Sequence, residues 1–151
     1  MNKKEQVSTT LLKWYSQEKR DLPWRHTTDP YKILISELML QQTQVSRVIE
    51  KYNSFTKKYP TIQHLARAKQ SSIVKEWKGL GYNNRAVRLH KLAQHVVKEN
   101  NGVLPTTKEE LEQLPGIGPY TAGAVLSFAH NHDVTLIDTN IKRVLGRLYH
   151  D

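Results

Sequence analysis

An all-α fold is predicted from three features of the sequence. Apolar residues recur at helical spacing in one segment after another. The breaks between these segments carry Pro, Gly, Asn and Asp. No stretch alternates apolar and polar residues convincingly enough for a sheet. The chain has 151 residues, enough mass for a real hydrophobic core. Neither an internal repeat nor a low-complexity linker interrupts it.

The elements follow in order. Residues from about Lys4 to Lys19 form an amphipathic helix with Val7, Leu11, Trp14 and Tyr15 on one face. The segment from Arg20 to Thr28 is irregular. Asp29 and Pro30 make a strong helix start, an N-cap followed by proline. From Tyr31 to Leu40 the helix is apolar on every side, which marks a buried central helix. Gln41–Gln44 interrupts it. Val45, Val48, Ile49, Tyr52 and Phe55 mark the next helix, which ends near Pro60. Short helices are expected over Thr61–Ala68 and Ser72–Lys78, then a break over Gly79–Asn84. Arg85–Glu99 is helical, with Gly102 as a C-terminal cap.

The most informative stretch starts at Thr107. Thr107 and Glu110 have capping-box spacing for a short helix with Leu111 and Leu114 on one face. Pro115–Gly118 is a tight turn whose glycines give access to backbone angles closed to other residues. Pro119 suits the first turn of a second helix containing Ala122, Ala124, Val125, Phe128 and Ala129. The unit reads helix, hairpin, helix. The free amides and positive dipole end of its second helix suit a phosphate, although an ordinary αα-hairpin would look the same. Asn131–Asp133 is a loop, Val134–Ile137 a short extended piece, and Asp138 opens a last helix with Ile141, Val144, Leu145 and Leu148. That helix ends at His150 and Asp151 with an apolar face and nothing downstream to cover it. The expectation is a fragment, or a chain relying on another polypeptide, unless the N-terminal helix covers that face.

Composition narrows the partners. Lys and Arg number 23 against 14 for Asp and Glu, a formal net charge of +9. The basic residues are spread along the whole chain and not gathered on one amphipathic helix, which favours nucleic acid over a membrane surface. There is no bilayer-spanning run and no signal-peptide core, and Met1 leads straight into Asn-Lys-Lys-Glu, so a cytoplasmic protein is expected. The absence of cysteine excludes disulfides, thiolate catalysis and cysteine-ligated zinc or iron–sulfur sites within these residues. His130 and His132 lack an acidic partner at ligand spacing, and no metal site is assigned. Neither Gly79-x-Gly81 nor Gly116-x-Gly118 has the third glycine of a dinucleotide fingerprint, since Asn84 and Thr121 stand there.

Two carboxylates are candidates for chemistry. Glu37 lies in the middle of the all-apolar helix, where burial raises a carboxyl pKa and makes a proton donor; the alternative is a structural ion pair with an arginine. Asp138 sits where an N-cap belongs, and capping amides would keep it ionised. If both faced one pocket, they would form the acid and the carboxylate that break glycosidic bonds. Gln41, Gln42, Thr43 and Gln44 could contact bases or simply end a helix in solvent. Tyr82 could wedge or stack against bases, or be an exposed loop tyrosine.

These pieces, in this order, resemble the helix-hairpin-helix DNA glycosylases that share the Gly/Pro–Asp signature, endonuclease III-like proteins. The closest likeness is to the MutY-type, adenine-specific branch. The resemblance is carried by Asp21–Arg25, Asp29–Lys32, Ser36–Val45, Gly79–Tyr82, Leu114–Leu126 and Ile137–Leu145, and runs from about Leu11 to Tyr149. It implies a six-helix barrel over residues 22–132 with the hairpin unit at about 107–130. Residues 1–21 and 133–151 would be parts of a second helical domain whose iron–sulfur region is missing. It implies hydrolysis of the N-glycosidic bond of an adenine opposite 8-oxoguanine or guanine in base excision repair.

By this resemblance Glu37 protonates the extruded adenine and Asp138 stabilises the sugar cation or a covalent intermediate. Tyr120 and Asn140 stand beside the pair; Leu22, Trp24 and Arg25 line the adenine pocket. Gln42 and Tyr82 intrude into the duplex. Gly116 and Gly118 bind phosphate through their amides, where an alkali cation can also sit. Gln41, Thr43, Leu80, Thr121 and Lys142 complete the DNA-contacting set. The implied partner is double-stranded DNA carrying a mismatch or oxidised guanine, met by a monomeric, nucleoid-associated protein of prokaryotic type. No cofactor is expected within this chain, since the family's 4Fe–4S cluster is bound by a C-terminal segment not present.

The chain also departs from the pattern. The lyase branch has a lysine where Tyr120 stands, so base removal without efficient strand cleavage is expected, with Lys142 a weak substitute. Thr139 replaces a glycine usual in the adenine branch, and Asn83 a second tyrosine. These departures leave two alternatives: a thymine or uracil mismatch glycosylase, or a non-catalytic DNA-binding fragment.

Overall fold

A computed structural model describes residues 2–149 of the chain. Among these residues all regular structure is helical. The helices are α1 (Lys3–Glu18), α2 (Pro30–Leu40), α3 (Val45–Lys58), α4 (Ile62–Arg67), α5 (Gln70–Trp77), α6 (Asn84–Glu99), α7 (Lys108–Glu112), α8 (Pro119–His130) and α9 (Thr139–Tyr149), with a 3-10 turn at Pro23–Arg25. The predicted helices are all present within a residue or two of their expected ends. The expectation that His150 and Asp151 close the last helix lies outside the described residues.

The caps explain why the helices start where they do. The Asp29 carboxylate accepts the Tyr31 amide at 2.9 Å and starts α2. Thr107 caps α7, but its reciprocal bond differs from the usual capping box. The Thr107 hydroxyl donates to Glu110 Oε2 at 2.6 Å while accepting the Glu110 amide at 3.4 Å. α6 closes with the Gly102 amide donating to the Val96 carbonyl at 3.0 Å, Gly102 being in the left-handed region at φ +77°.

The core is built around α2. Ile33, Leu34, Ile35, Leu38 and Met39 are buried, and α2 packs on α3 along one side and on α8 along another. α4 and α5 pack on α6, and α7 on α8. Phe55 meets Tyr59 and Trp77 edge to face, filling the space between α3 and α5.

Outside that core the packing changes character. α1 and α9 bury none of their described residues. Leu11, Leu12, Trp14, Val144 and Leu145 remain exposed. The two helices meet at one end, where Lys3 Nζ donates to the Leu148 carbonyl at 2.7 Å and lies over the Tyr149 ring. The N-terminal helix therefore leaves the apolar face of α9 open.

Candidate active site

One face of α2 opens into a large cavity of about 1030 Å³. Ile33, Glu37 and Leu40 line it from α2, spaced so that they share one helical face. Leu22, Trp24 and Arg25 line it from the 3-10 turn, Tyr120, Ser127 and Phe128 from α8, and Tyr15 from α1. Leu22 and Trp24 are buried, and Trp24 is held edge to face against Tyr52. Arg25 is exposed, donating to the Arg20 carbonyl at 2.7 Å with its guanidinium over the Tyr15 ring.

Glu37 is the only carboxylate that the core helix places in this cavity. Among the described residues its carboxylate has neither an ion-pair partner nor a hydrogen bond, so the alternative of an arginine pair is not realised. Burial alone pushes its pKa from an ordinary 4.5 up to about 7. Near neutral pH the group is poised between acid and carboxylate, which suits a proton donor.

Asp138 is held differently. Its carboxylate accepts the Ile141 amide at 2.7 Å and caps α9. It is not among the residues that line the cavity, so the condition that both carboxylates face one pocket is not met by the cavity lining alone. They meet through Tyr120, which lines the cavity beside Glu37. Burial first, then the charges of Glu37 and Asp138, raise the Tyr120 phenol above its ordinary range. Tyr120 therefore stands within electrostatic reach of both groups.

Gly123 helps place Asp138. A side chain there would meet Leu136 Cδ2 at 2.7 Å, so the glycine lets the segment before Asp138 lie against α8. Asn140 does not line the cavity; its side-chain oxygen accepts from Arg143 Nη2 at 2.8 Å on the exposed surface of α9. Lys142 is exposed one turn beyond Asp138, its amide bonded to the Asp138 carbonyl.

The expected DNA-contacting residues divide into two groups. Gln42 and Tyr82 are exposed, and both take left-handed backbone, at φ 55° and 47°. Leu80 and Thr121 are buried at 4% and 3% exposure, so their side chains face the core, contrary to expectation. Thr121 Oγ1 accepts from Gln41 Nε2 at 3.4 Å, tying the end of α2 to α8. The Thr43 hydroxyl bonds the Leu80 carbonyl at 3.1 Å, joining the two turns that carry Gln42 and Tyr82.

The hairpin glycines also differ from one another. Gly116 adopts φ +83°, and a β-carbon there would lie 3.2 Å from Arg88 Cβ, so this position needs glycine. Gly118 has ordinary extended backbone, which corrects the expectation of a special angle. It is the N-cap of α8 and offers no side-chain cap, and a β-carbon there would meet nothing within 4 Å. Its value is an uncovered helix start, open to an anion.

Sequence reasoning missed Ser127 and Phe128 as cavity residues. Their signal is positional, since they lie two turns along α8 from Tyr120. It also missed Arg85, which appeared only as the start of a helix.

The family model for the HhH-GPD superfamily base excision DNA repair protein matches residues 35–151. This chain belongs to the HhH-GPD superfamily. The human "Adenine DNA glycosylase" is 46% identical over 148 residues, covering 92% of this chain and 27% of that protein. The Mycobacterium tuberculosis (strain H37Rv) "Adenine DNA glycosylase" is 43% identical over 143 residues, covering 94% of this chain and 47% of that protein. The chain thus spans less than half the length of these relatives. Among solved structures, a thermostable thymine-DNA glycosylase is similar with a TM-score of 0.89 and 35% identity, over 94% of this chain and 66% of that one. A non-covalent endonuclease III–DNA complex is similar with a TM-score of 0.79 and 25% identity, over 95% of this chain and 68% of that one.

The HhH-GPD helical fold is therefore shared. The cysteine-ligated cluster that the resemblance implies finds no ligand among the residues present, because the chain contains no cysteine. Among the described residues no helix is long and apolar enough to cross a membrane.

Proposed function

We propose that this chain is the catalytic part of an adenine-removing DNA glycosylase that hydrolyses the N-glycosidic bond of adenine opposite 8-oxoguanine or guanine. The observation that carries the reading is Glu37, the carboxyl that the core helix places in the cavity, with a pKa raised to about 7 and Tyr120 within electrostatic reach of both it and the helix cap Asp138. The names of the relatives support the choice of adenine.

A base inside a duplex is out of reach, so the target must be extruded into the cavity. Leu22 and Trp24 offer it apolar walls, and Arg25 and Tyr120 polar edges. The bond between sugar and base breaks with its electron pair passing to the base nitrogen. The Glu37 proton goes to the departing base, leaving Glu37 as carboxylate. The Asp138 carboxylate stabilises or traps the sugar cation. Water then adds at the sugar carbon, and Glu37 recovers a proton from it. Gln42 and Tyr82 fill the space that the base leaves. The amides at Gly116 and Gly118, with the surplus of positive charge, hold the phosphates. Without a lysine at position 120, strand cleavage is inefficient, and Lys142 gives at most residual nicking.

Incubation with a duplex carrying adenine opposite 8-oxoguanine, followed by alkali, tests the reading. A break at the adenine is expected; binding without any break would support a non-catalytic DNA-binding module. A second reading, thymine removal opposite guanine, is favoured by the likeness to the thymine-DNA glycosylase together with Thr139 and Asn83. A break only at thymine would select it.

A further inference from the structure

We infer that Arg85 is a positioning residue that fastens the two intruding turns into one rigid wedge. The inference rests on the reading of Gln42 and Tyr82 as the residues that enter the duplex. The two side chains come from separate parts of the sequence: Gln42 follows α2, and Tyr82 precedes α6. Each sits in left-handed backbone that a non-glycine residue rarely adopts, so each turn needs outside support.

Arg85 supplies that support from between them. Its Nη1 donates to the carbonyls of Leu38 at 2.6 Å, Met39 at 3.2 Å and Gln41 at 2.7 Å. These are the open carbonyls at the C-terminal end of α2, just before Gln42. Its Nη2 donates to Thr43 Oγ1 at 3.2 Å, just after Gln42, and to the carbonyls of Leu80 at 2.9 Å and Gly81 at 3.1 Å, just before Tyr82. The Arg85 amide donates to the Tyr82 carbonyl at 2.9 Å. The guanidinium lies over the Trp77 ring at 5.5 Å and over the Tyr82 ring at 5.7 Å.

A planar fork with fixed donor directions can hold both turns at once. A lysine ammonium, a single point of charge on a flexible stem, cannot. No carboxylate pairs with Arg85 among the described residues, so its charge is spent on backbone oxygens. The group touches neither the cavity nor Glu37. It acts by presenting Gln42 and Tyr82 at a fixed spacing, and so sets how readily a base leaves the stack.

The test uses the full chain and DNA duplexes with 2-aminopurine at the target position, whose fluorescence rises when it unstacks. One duplex has guanine opposite the probe; the other has an abasic site there, where no wedge is needed. Wild type, Arg85→Lys, Arg85→Met, a Gln42→Ala/Tyr82→Ala pair and that pair combined with Arg85→Met are compared. Arg85→Met should cut extrusion from the guanine duplex by at least about tenfold, as a small misplacement of a positioned group does. It should leave the abasic duplex within about threefold of wild type. In the wedge-deleted background it should change nothing further. Arg85→Lys keeps the charge and should show the same selective loss, which covers the case in which Arg85→Met fails to fold. Equal losses on both duplexes, or an additive loss in the wedge-deleted background, would reduce Arg85 to a general structural role and overturn the inference. Retained extrusion in both Arg85 variants would overturn it too. No rise with wild type on the guanine duplex would overturn the wedge reading itself, a result distinct from a wild-type rise that survives in the Arg85 variants.

Discussion

α2 and α9 each carry one carboxylate of the proposed pair, and they hold it in opposite ways. Glu37 stands on a helix buried on nearly every side, without a partner, and its chemistry comes from desolvation. Asp138 stands at the start of a helix that buries none of its described residues, and its carboxylate is fixed by the Ile141 amide. Burial thus pushes one carboxyl toward the acid, while the other is fixed by a backbone amide at an exposed helix start. The division of labour follows from packing.

The largest expected effect comes from removing the acid. Glu37→Gln should lower single-turnover adenine release by about 10²–10⁴-fold, the usual worth of a positioned general acid, with duplex affinity little changed. Next is Asp138→Asn. Asparagine caps a helix about as well as aspartate, so stability should move by no more than about 0.5 kcal/mol. Base release should nevertheless fall on the order of 10²-fold, because the fixed negative charge is lost. A variant that keeps both its melting temperature and its activity would show that Asp138 is only a cap.

Stability should separate the two carboxylates in a second way. Glu37 has a higher pKa folded than unfolded, so its protonated form favours the folded state. That contribution is fully present below about pH 4.5 and is lost as pH rises through about 7. At pH 8 the ionised group costs on the order of 3 kcal/mol, so Glu37→Gln should raise the melting temperature at pH 8 and lose that advantage near pH 4. An unchanged melting temperature at both pH values would mean that Glu37 is well solvated. In the packing itself, Ile35→Ala in α2 should cost about 2–5 kcal/mol, measured by denaturant unfolding. Leu12→Ala on the exposed side of α1 should stay within about 0.5 kcal/mol. Similar costs at the two sites would mean that α1 is packed as tightly as the core.

Helix positions were legible in the sequence because their signals are local. Asp29-Pro30, the apolar run after it and the glycine turn before Pro119 each announce themselves within a few residues. Glu37 could also be found this way, since a lone carboxyl in an all-apolar helix is a local anomaly. What could not be read was whatever depends on distant chain segments meeting. Leu80 looks like part of an exposed turn but is folded inward, with its carbonyl facing Thr43 and Arg85. Thr121 is drawn into the contact between α2 and α8. The bonds of Arg85 to the end of α2 reach back more than forty residues along the chain, and no sequence spacing encodes them. Tyr120 connects the two carboxylates only because α8 lies against α2.

The most direct test of the central claim is the pH dependence of base release by the wild-type chain, under single turnover on a duplex with adenine opposite 8-oxoguanine. Glu37 must be protonated to act, so the rate should be level between about pH 5 and 6 and fall about tenfold per unit well above pH 7. A rate that stays level through pH 8, or rises there, would contradict the account.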